Sequence, residues 1–470
     1  MLNRSSLGGR RVTPTRLATA LFVVSMFACD TNRLLTVTDP DVARPAALAG
    51  ISAIPTLRAG AIGDFGVAYN GGNSDVEQVH LSALIADEFI NTETFPTRIE
   101  IDQRAMTITN TSLNGTFYDL NRARASAERA AAAYKEFAKT ATDSVGYPEV
   151  LALNGLAYVL AAENYCGAVP TSTQAADGSL NFGAPLSTNQ LLDSAISKFN
   201  QALAMGTPLS ATFKALAQVG KGRALLDKGD PAAAAAAVAG VSTTFQYNYT
   251  HSETSTRQNN GTWSLTQSVG RFGVADVEAG VGLPFQTEGN LKGAAPDPRV
   301  ADSLAKRGTN TKGFDGATNQ WVQAKFPLRA SPITIADGVE ARLIEAEAAL
   351  KAGDAAGALT ILNTLRSTSA LLSLRGYAAG SLPPLTLQAT PDAQLDQLFK
   401  ERAYWLFLTS HRLGDLRRLV RQYGRAVNSV FPNGPYFKGG TYGTDVNAPV
   451  PQSEQNNPSY TPGSCKQNEA

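Results

Sequence analysis

The side chains that most often carry enzyme chemistry are few and scattered in this sequence. The three histidines, His80, His251 and His411, stand far apart, and none forms an HExxH or HxxxH pair with a third ligand. The sequence also lacks the GxSxG, GxxxxGK[ST] and strand-associated GxGxxG patterns of serine hydrolases, phosphate loops and dinucleotide-binding folds. We therefore predict neither a zinc site nor an enzyme of these classes.

Two acidic pairs have the residue types that glycoside cleavage uses, Asp87 with Glu88 and Glu345 with Glu347. Such cleavage needs two carboxylates that face one another across the substrate. Glu345 and Glu347 lie two apart on a predicted helix and point in different directions. Both pairs are better explained as solvated or ion-paired side chains. A secreted hydrolase stays as an alternative that measured turnover would reveal.

One cysteine lies in a context that predicts covalent modification. Four arginines and no acidic residue precede an apolar run at 17–28, which is too short to span a bilayer and has the length of a signal-peptide core. The run ends at Ala28, directly before Cys29, in a pattern similar to a bacterial lipobox. We predict a signal peptide at 1–28, lipidation of Cys29 and a tether over 29–45; an ordinary signal peptide is the alternative.

Charge and the remaining cysteines limit the partners. The 470 residues include 41 Lys+Arg and 40 Asp+Glu, a formal net charge of +1, so no basic field favours nucleic acid. Cys166 and Cys465 would be free to pair in an exported protein, but their separation leaves both the paired and the free state open. Asp- and Asn-rich loops are suited to calcium, yet no spacing identifies a site, and we expect no cofactor.

The elements that position these side chains are mostly helices. Apolar residues at three- and four-residue spacing predict helices at about 46–69, 75–90, 111–139, 147–165, 187–205, 209–228, 335–352, 354–372 and 391–423. Gly229-Asp230 and Gly353-Asp354 each predict a helix end followed by a new helix start. Small residues before these turns, Gly220, Gly222, Ala224, Ala341, Ala346 and Ala348, favour the close helix pairs of tetratricopeptide-like hairpins.

Two regions have a different composition. Residues 242–330 and 424–470 are rich in Asn, Gly, Thr, Ser and aromatic residues, which predicts loops with short strands such as 320–326. The helical regions are 46–241 and 331–423. We predict a mainly α fold in which helical pairs form a right-handed superhelical scaffold beside a loop-rich irregular half.

Several segments resemble the SusD/RagB family of nutrient-binding lipoproteins. The likeness covers nearly all of the chain after residue 28, and its most specific part is Glu401-Arg402, then 411–418 (HRLGDLRR), then 450–454 (VPQSE) with Asn457-Pro458. Residues 35–40, 84–89 and 156–166 also match family segments. Trp405, Thr409, Ser410 and Leu413 depart from the family pattern, which indicates a divergent subfamily.

The resemblance implies a shallow ligand site built from loop aromatics, with polar side chains that satisfy hydroxyls. The candidates are Phe95, Asp87, Arg98, Tyr247, Tyr249, Asn259, Asn260, Trp263, Trp321 and Tyr442. Each aromatic has a packing role as its alternative.

The most specific motif has a structural explanation. Asp415 lies three residues from Arg412 and three from Arg418, so these side chains can form a charged network that fixes a bent helix pair. We assign Glu401, Arg402, Arg412, Asp415 and Arg418 to architecture.

The function that the resemblance implies is not enzymatic. We expect a lipid-anchored protein at the outer-membrane surface that binds an oligosaccharide or peptide and closes as a lid on a SusC-type TonB-dependent transporter. The alternative is a tetratricopeptide-like scaffold that binds only proteins, through its helical surface.

Overall fold

Helices joined by tight turns make up most of the molecule. The computed structural model describes residues 50–72, 76–174, 179–206, 209–304 and 311–470. The predicted signal peptide, the lipidation site Cys29 and the tether lie outside these residues. Gly50–Ala470 form one compact unit.

The elements, in chain order, have the following bounds. The helices are α1 Ile54–Asn70, α2 Gln78–Ile85, α3 Pro96–Asp102, α4 Thr111–Phe137, α5 Tyr147–Asn164, α6 Thr188–Leu203, α7 Ala211–Asp227, α8 Pro231–Val238, α9 Gly261–Trp263, α10 Phe285–Gly289, α11 Gly338–Lys351, α12 Ala355–Ser367, α13 Ser369–Leu374, α14 Pro391–Trp405, α15 Arg412–Tyr423, α16 Val427–Val430 and α17 Gln452–Gln455. The strands are β1 Phe89–Asn91, β2 Val169–Pro170, β3 Thr173–Gln174, β4 Leu180–Asn181, β5 Pro185–Leu186, β6 Gln246–Tyr249, β7 Phe272–Val274, β8 Asp302–Leu304, β9 Trp321–Gln323 and β10 Ile333–Asp337.

The long helices pack side by side in a continuous series. Helix α4 packs on α1 and α5, α5 on α6 and α7, α7 on α8, α8 on α11, and α11 on α12. Close approach is possible because glycines face Phe199 of α6: a Cβ on Gly220 of α7 would lie 2.5 Å from its ring, and one on Gly155 of α5 would lie 2.7 Å away. The predicted mainly α fold built from helical pairs is confirmed.

Both predicted helix-to-helix turns have the expected geometry. Gly229 and Gly353 have φ of 86° and 87°, in the left-handed region that costs glycine little. The Asp230 carboxylate accepts the N–H of the third residue after it at 3.0 Å, and Asp354 does the same at 2.8 Å. Each Asp thereby satisfies a donor that the start of a helix leaves unpaired.

The loop-rich half has its own short strands but shares the core of the helices. The described strands form antiparallel pairs: β1 with β7, β2 with β5, β3 with β4, β6 with β10, and β8 with β9. Phe272, Phe285, Val300 and Phe326 are fully buried in the same apolar cluster as the helix side chains. The predicted strand 320–326 is only β9, because the Gln323 side chain accepts the Phe326 N–H at 2.7 Å and turns the chain inward.

Two predicted helices are shorter than expected. The run 391–423 is broken between Trp405 and Arg412, where Leu408 and Ser410 have φ of 54° and 59°. The break is fixed from outside the segment, since the Leu408 N–H donates to the buried carboxylate of Glu88 at 2.9 Å. The run 75–90 is helical only in α2 and then changes direction at Asp87, which has a φ of 66°.

Cys166 and Cys465 are paired in a disulfide. Their Cα atoms lie 5.2 Å apart, and the bond joins the residues just after α5 to the C-terminal segment, 299 positions away. The question that the sequence left open is thus answered. Among the described helices, none combines the length and apolar character needed to cross a bilayer.

A buried charged network holds α15 against the other helices. Arg402 of α14 donates two hydrogen bonds to Asp415, at 2.9 and 2.8 Å, and Arg418 donates a third at 2.8 Å. Arg418 also pairs with Glu347 of α11 and Asp227 of α7, both at 3.0 Å. These side chains are at most 2 % exposed, so each charge depends on its partners.

Two members of the predicted motif have different partners from those we expected. Arg412 does not pair with Asp415; its Nε lies 3.4 Å from Asp87, because the break before α15 turns it toward α2. Glu401 accepts from Arg299 and Arg366, both at 2.7 Å, and belongs to a separate cluster. The motif therefore joins α7, α11, α12, α14, α15 and the segments that carry Asp87 and Arg299, instead of one helix pair.

Removing the charge of Asp415 should destabilise the fold. We expect Asp415→Asn to lower the free energy of unfolding by about 3 kcal/mol, because two buried arginines lose their shared partner. Urea denaturation followed by circular dichroism measures this. Asp392→Asn is the control, since that side chain is 82% exposed and pairs with Arg425 at the surface, where an ion pair contributes little.

The same carboxylate predicts how stability varies with pH. Burial alone would raise the pKa of Asp415, but the charges of Arg402 and Arg418 outweigh it and hold that pKa well below its ordinary value. Its contribution is therefore present above about pH 4, the pKa of an unfolded aspartate, and is lost as the pH falls toward the lower folded-state pKa. Asp415→Asn should show a smaller loss of stability on acidification than the parent protein; an equal loss would contradict this assignment.

Candidate functional site

Three exposed phenylalanines from separate segments come together around two cationic side chains. Phe95, Phe314 and Phe437 are 45%, 50% and 43% exposed. We call them the phenylalanine cluster. Arg271 and Lys438 lie among them. Because exposed rings are costly to leave in water, a grouped set indicates a surface that covers a ligand or partner.

Arg271 lies between two of the rings. Its guanidinium carbon is 4.8 Å from the centre of the Phe95 ring and 4.3 Å from that of Phe314. Arg98, in the first turns of α3, approaches the Phe95 ring at 5.2 Å. These distances are those of cation–π contacts, so the two arginines fix the orientation of rings that would otherwise rotate freely.

A buried carboxylate holds both arginines. The pairing of β1 with β7 places Glu93, two residues after β1, next to Arg271, one residue before β7. Glu93 is fully buried; one carboxylate oxygen accepts from Arg98 at 2.9 Å and the other from Arg271. The positive charge of the arginines is therefore partly balanced from below, while the faces of the rings stay open.

Phe314 projects from a tight turn. Its N–H donates to the carbonyl of Gly270 at 2.8 Å, and the next N–H, of Asp315, donates to the carbonyl of Thr92 at 3.0 Å. The Asp315 carboxylate accepts the N–H groups of Ala317 and Thr318, both at 2.9 Å. The turn is thus fixed to the strand pair beneath it.

Lys438 joins the Phe437 loop to the other two segments. Its ammonium donates to Asp315 at 2.8 Å, to the carbonyl of Glu93 at 2.6 Å and to the side chain of Asn91 at 3.2 Å. Burial acts to raise the pKa of Asp315, but the hydrogen bond from Lys438 and those from backbone N–H groups outweigh it and lower that pKa. One ammonium therefore connects all three segments that carry the cluster.

Buried hydroxyls and carboxylates support the Phe437 loop. The Tyr436 ring packs on Phe437, with centroids 4.7 Å apart, and its hydroxyl donates to Asp102 at 2.6 Å. Burial, with some help from Glu278, raises the pKa of Asp102 to about 8. Tyr442 packs on Tyr436 and donates to Glu278. These groups hold the loop in place and are not directed at a ligand.

Comparison with known proteins identifies the fold. No family model matches the sequence, and no curated protein does. A solved SusD superfamily protein from Parabacteroides distasonis matches with a TM-score of 0.63 at 14% identity, over 87% of this chain and 98% of that one. The chain has the SusD fold.

Other solved structures agree. A SusD-like carbohydrate binding protein from Bacteroides fragilis matches with a TM-score of 0.60 at 15% identity, over 87% of this chain and 99% of that one. Surface glycan-binding protein A from Bacteroides uniformis matches with a TM-score of 0.60 at 12% identity, over 88% and 99%. At such low identity the likeness defines the fold, and the site has to be established from this chain's own residues.

The segment 35–40 lies outside the described residues, and several of the other segments that suggested the family contribute contacts in the interior of this SusD fold. Arg417 of α15 donates to the carbonyls of Ala162 and Glu163 at 2.8 and 2.6 Å, at the end of α5. Tyr165 forms a parallel bridge with Ala448, and Glu88 accepts from Leu408. The residues that carry the resemblance therefore position elements and lie apart from the exposed cluster.

The predicted ligand residues are divided among several places in the SusD fold. Phe95 and Arg98 belong to the phenylalanine cluster. Tyr442 is only 8% exposed and lies behind the cluster, in contact with Tyr436. The prediction that Arg98 and Tyr442 contact ligand directly needs correction, because both are buried and bound to carboxylates, at Glu93 and Glu278.

Tyr247 and Tyr249 lie elsewhere. Both line a cavity of about 280 Å³ between α1, α5 and β6, together with Phe65 and Glu149. The Tyr247 hydroxyl donates to Glu149 at 2.7 Å, and the Tyr249 ring covers Gly66 so closely that a Cβ there would overlap it. Their contacts are those of packed side chains between a helix and a strand.

Three other candidates stabilise the turn before α9. Asn260 is fully buried, caps α9 by accepting the Trp263 N–H at 2.9 Å, and donates to the carbonyl of Ser331 at 2.9 Å. The Asn259 amide, when its nitrogen faces them, donates to the carbonyls of Ser252 and Ser255 at 3.0 and 3.1 Å. Trp263 is half-buried beneath Arg329. The two asparagines are therefore structural, which corrects the prediction.

The last two predicted ligand residues are Asp87 and Trp321. Asp87 is 1% exposed and faces Arg412, and burial raises the pKa of its carboxyl to about 6. It cannot contact a ligand at the surface, so this prediction is also wrong. Trp321 is half-buried on β9, where it pairs with Leu304 of β8 and packs against the core.

The sequence interpretation missed Phe314, Phe437, Arg271 and Lys438. Phe314 lies between Gly313 and Gly316 in a turn, and Phe437 lies two residues before the pair Gly439-Gly440, which both have positive φ. An aromatic residue next to turn glycines is a signal of an exposed loop tip, and it would have indicated both rings. No sequence signal pairs the distant Arg271 with them.

The site can bind but has no evident catalytic group. Its carboxylates, Glu93 and Asp315, are each engaged by cations and N–H groups. Among the residues that the structure describes, no group of three or more His, Cys, Asp or Glu side chains is placed to hold a metal. What remains available is the face of each ring and the outer donors of Arg271.

Loss of the Lys438 ammonium should loosen the cluster. We expect Lys438→Met to speed backbone hydrogen exchange about tenfold or more in 313–318 and 434–442, because charge-assisted hydrogen bonds between these loops are removed. Exchange followed by mass spectrometry measures this. Lys400→Met is the matched control, since Lys400 pairs with Glu288 elsewhere; equal effects of the two variants would contradict the role given to Lys438.

Proposed function

We propose that this protein binds an oligosaccharide on the phenylalanine cluster and does not transform it. The observation that carries the proposal is the convergence of three exposed rings, from three segments, on a framework of buried ion pairs. A sugar presents flat C–H faces that stack on aromatic rings, with hydroxyls at its edges. Arg271, held between two rings, can donate to such hydroxyls without moving.

The neighbours in fold support a carbohydrate ligand. One is described as a SusD-like carbohydrate binding protein and another as a surface glycan-binding protein. Most of the charge at the cluster is compensated, because Glu93 is shared by Arg98 and Arg271 and Asp315 pairs with Lys438. The one positive charge that remains is compatible with a neutral, hydroxyl-rich ligand. Capture of a peptide on the same surface is the competing form of this function. Glycoside cleavage would need a free carboxylate pair at the cluster.

We further propose that the chain is anchored to the outer membrane through a lipidated Cys29 and faces the cell surface. The apolar run before Cys29 and the lipobox-like sequence support the anchor. The resemblance to the SusD/RagB family supports a SusC-type TonB-dependent transporter as the partner, over which the protein closes as a lid. The polar tether over 29–45 would permit that movement.

Removing rings from the cluster should weaken glycan binding. In a panel of soluble oligosaccharides screened by affinity electrophoresis and quantified by titration calorimetry, we expect at least one ligand. Its affinity should fall about three- to tenfold in Phe95→Ala and in Phe314→Ala, the contribution of one aromatic contact, and further in the double variant.

Phe182→Ala is the matched control for this experiment. Phe182 is 52% exposed and makes no ring contact with the cluster, so its loss should leave affinity unchanged. Thermal unfolding checks that each variant is folded. Full affinity in the double variant, or binding to peptides alone, would contradict the proposed site.

The partner is tested by purification from gently solubilised outer membranes. We expect a large TonB-dependent β-barrel to co-purify in near-equal amount with the intact protein, and Cys29→Ser to release the protein from the membrane fraction. Recovery without a barrel, or only from the inner membrane, would exclude the lid and favour a helical scaffold that binds proteins.

A further inference from the structure

A second cavity, of about 500 Å³, lies beside the disulfide. It is bounded by the residues after α5, by the start of α6, by one side of α15 and by the C-terminal segment. The polar residues around it include Thr188, Asn189, Asp227, Lys228, Arg417, Arg421, Lys466 and Glu469. None of these belongs to the phenylalanine cluster, so the cavity is a separate place on the molecule.

Arg417 supplies an unusual buried charge to this cavity. It is 2% exposed, and its Nη1 donates to the carbonyls of Ala162, Glu163 and Tyr165 at 2.8, 2.6 and 3.2 Å. No carboxylate pairs with it among the described residues, and its Nε has no hydrogen-bond partner. Burial, together with the nearby charge of Arg421, lowers the pKa of Arg417 to about 9. No carboxylate is therefore bound directly to this charge, and those of Asp227 and Glu163 act on it only from a distance.

Two more cations at the cavity are also without ion-pair partners in the described part of the chain. Arg421 is one turn after Arg417 on α15, and Lys466 directly follows the disulfide. Lys228 is different, because it pairs with Asp193. Three positive side chains thus share this space without a carboxylate bound to any of them.

The acidic side chains do not balance them. The Oδ1 atom of Asp227 is held by Arg418 at 3.0 Å, and Glu469 makes no ion pair in the described structure. The buried Oδ2 atom of Asp227 has no hydrogen-bond partner, and the charge of Asp227 acts on Arg417 and Arg421. Two carboxylates, those of Asp227 and Glu469, therefore face the three cations. The unmatched charge of the cavity is positive, which favours an anion in it.

The start of α6 adds backbone donors. Ser187 caps the helix by accepting the Gln190 N–H at 3.3 Å, so the N–H groups of Thr188 and Asn189 are left for other acceptors. Helix α6 has 16 residues, and its N-terminal end carries a partial positive charge. Both residues line the cavity together with the three cations.

We propose that this cavity binds a small oxyanion, a carboxylate or phosphate group, between the start of α6 and the cationic side of α15. Arg421 and Lys466 contact the anion, and the Thr188 and Asn189 N–H groups complete its coordination. Arg417 acts from beneath as a fixed charge. The Cys166–Cys465 disulfide holds Lys466 at the edge of the cavity. The proposal is independent of glycan binding at the phenylalanine cluster.

Titration calorimetry at low salt tests the site with inorganic phosphate and with glucuronate, and with glucose as the uncharged comparison. We expect saturable binding of one or both anions and none of glucose. Phosphate alone would identify a phosphate site, and glucuronate alone a carboxylate site. Arg421→Gln and Lys466→Gln should each weaken binding about tenfold, the effect of one charge-assisted hydrogen bond.

Arg425→Gln is the matched control. Arg425 follows α15 and pairs with Asp392 and Asp396, outside the cavity, so its loss should leave anion affinity unchanged. Arg421 and Lys466 are at the rim, and thermal unfolding checks that their variants are folded. No saturable binding of either anion, or equal weakening by Arg421→Gln and Arg425→Gln, would overturn the proposal. If anion binding is absent while glycan binding is normal in the same samples, the anion site alone is contradicted and the phenylalanine cluster is not.

Discussion

The burial of arginine side chains on α15 is the constraint on which the rest of this structure depends. Arg417 and Arg418 are almost fully removed from water, and an unpaired charge in that environment would cost several kcal/mol. Arg418 is satisfied by carboxylates from α7, α11 and its own helix. Arg417 donates from its Nη1 to the terminal carbonyls of α5. Helix α15 can occupy this position only if α5, α7 and α11 are correctly packed around it.

The constraint extends to the exposed site through the break before α15. Leu408 can adopt a left-handed conformation there because its N–H donates to the buried Glu88 carboxylate. Glu88 directly precedes β1, and β1 leads to Glu93, which anchors the arginines beneath Phe95. Through this series of hydrogen bonds and ion pairs, the helical core fixes the strand that the phenylalanine cluster rests on. The loops carrying Phe314 and Phe437 then attach to that strand through backbone hydrogen bonds and Lys438.

The parts of the fold that the sequence predicts well are those with local causes. Gly229-Asp230 and Gly353-Asp354 form their turns with residues at most five positions away, so their geometry could be anticipated. The break at 406–411 could not, since its cause is Glu88, 320 positions away. Arg412 was assigned to Asp415 from helical spacing, but its actual partner is Asp87, 325 positions away. Of the predicted ligand residues, Phe95 is an exposed ring of the cluster. The sequence could not group it with Phe314 and Phe437, because these rings come from distant segments that only the tertiary structure brings together.

The two proposed sites differ in how their arginines are neutralised, and this difference determines what each can bind. Arg271 has a carboxylate below it and aromatic rings on both sides, so it presents hydrogen-bond donors with little net charge and suits a neutral, hydroxyl-rich ligand. Arg417 donates its hydrogen bonds to carbonyl oxygens and has no carboxylate bound to it. Carbonyls satisfy donors but do not cancel a full charge, so the field of Arg417 extends into the adjacent cavity and selects for an anion. A chain that binds both kinds of group therefore needs two separate places, because the carboxylate that lowers the charge of the first site would repel the anion of the second.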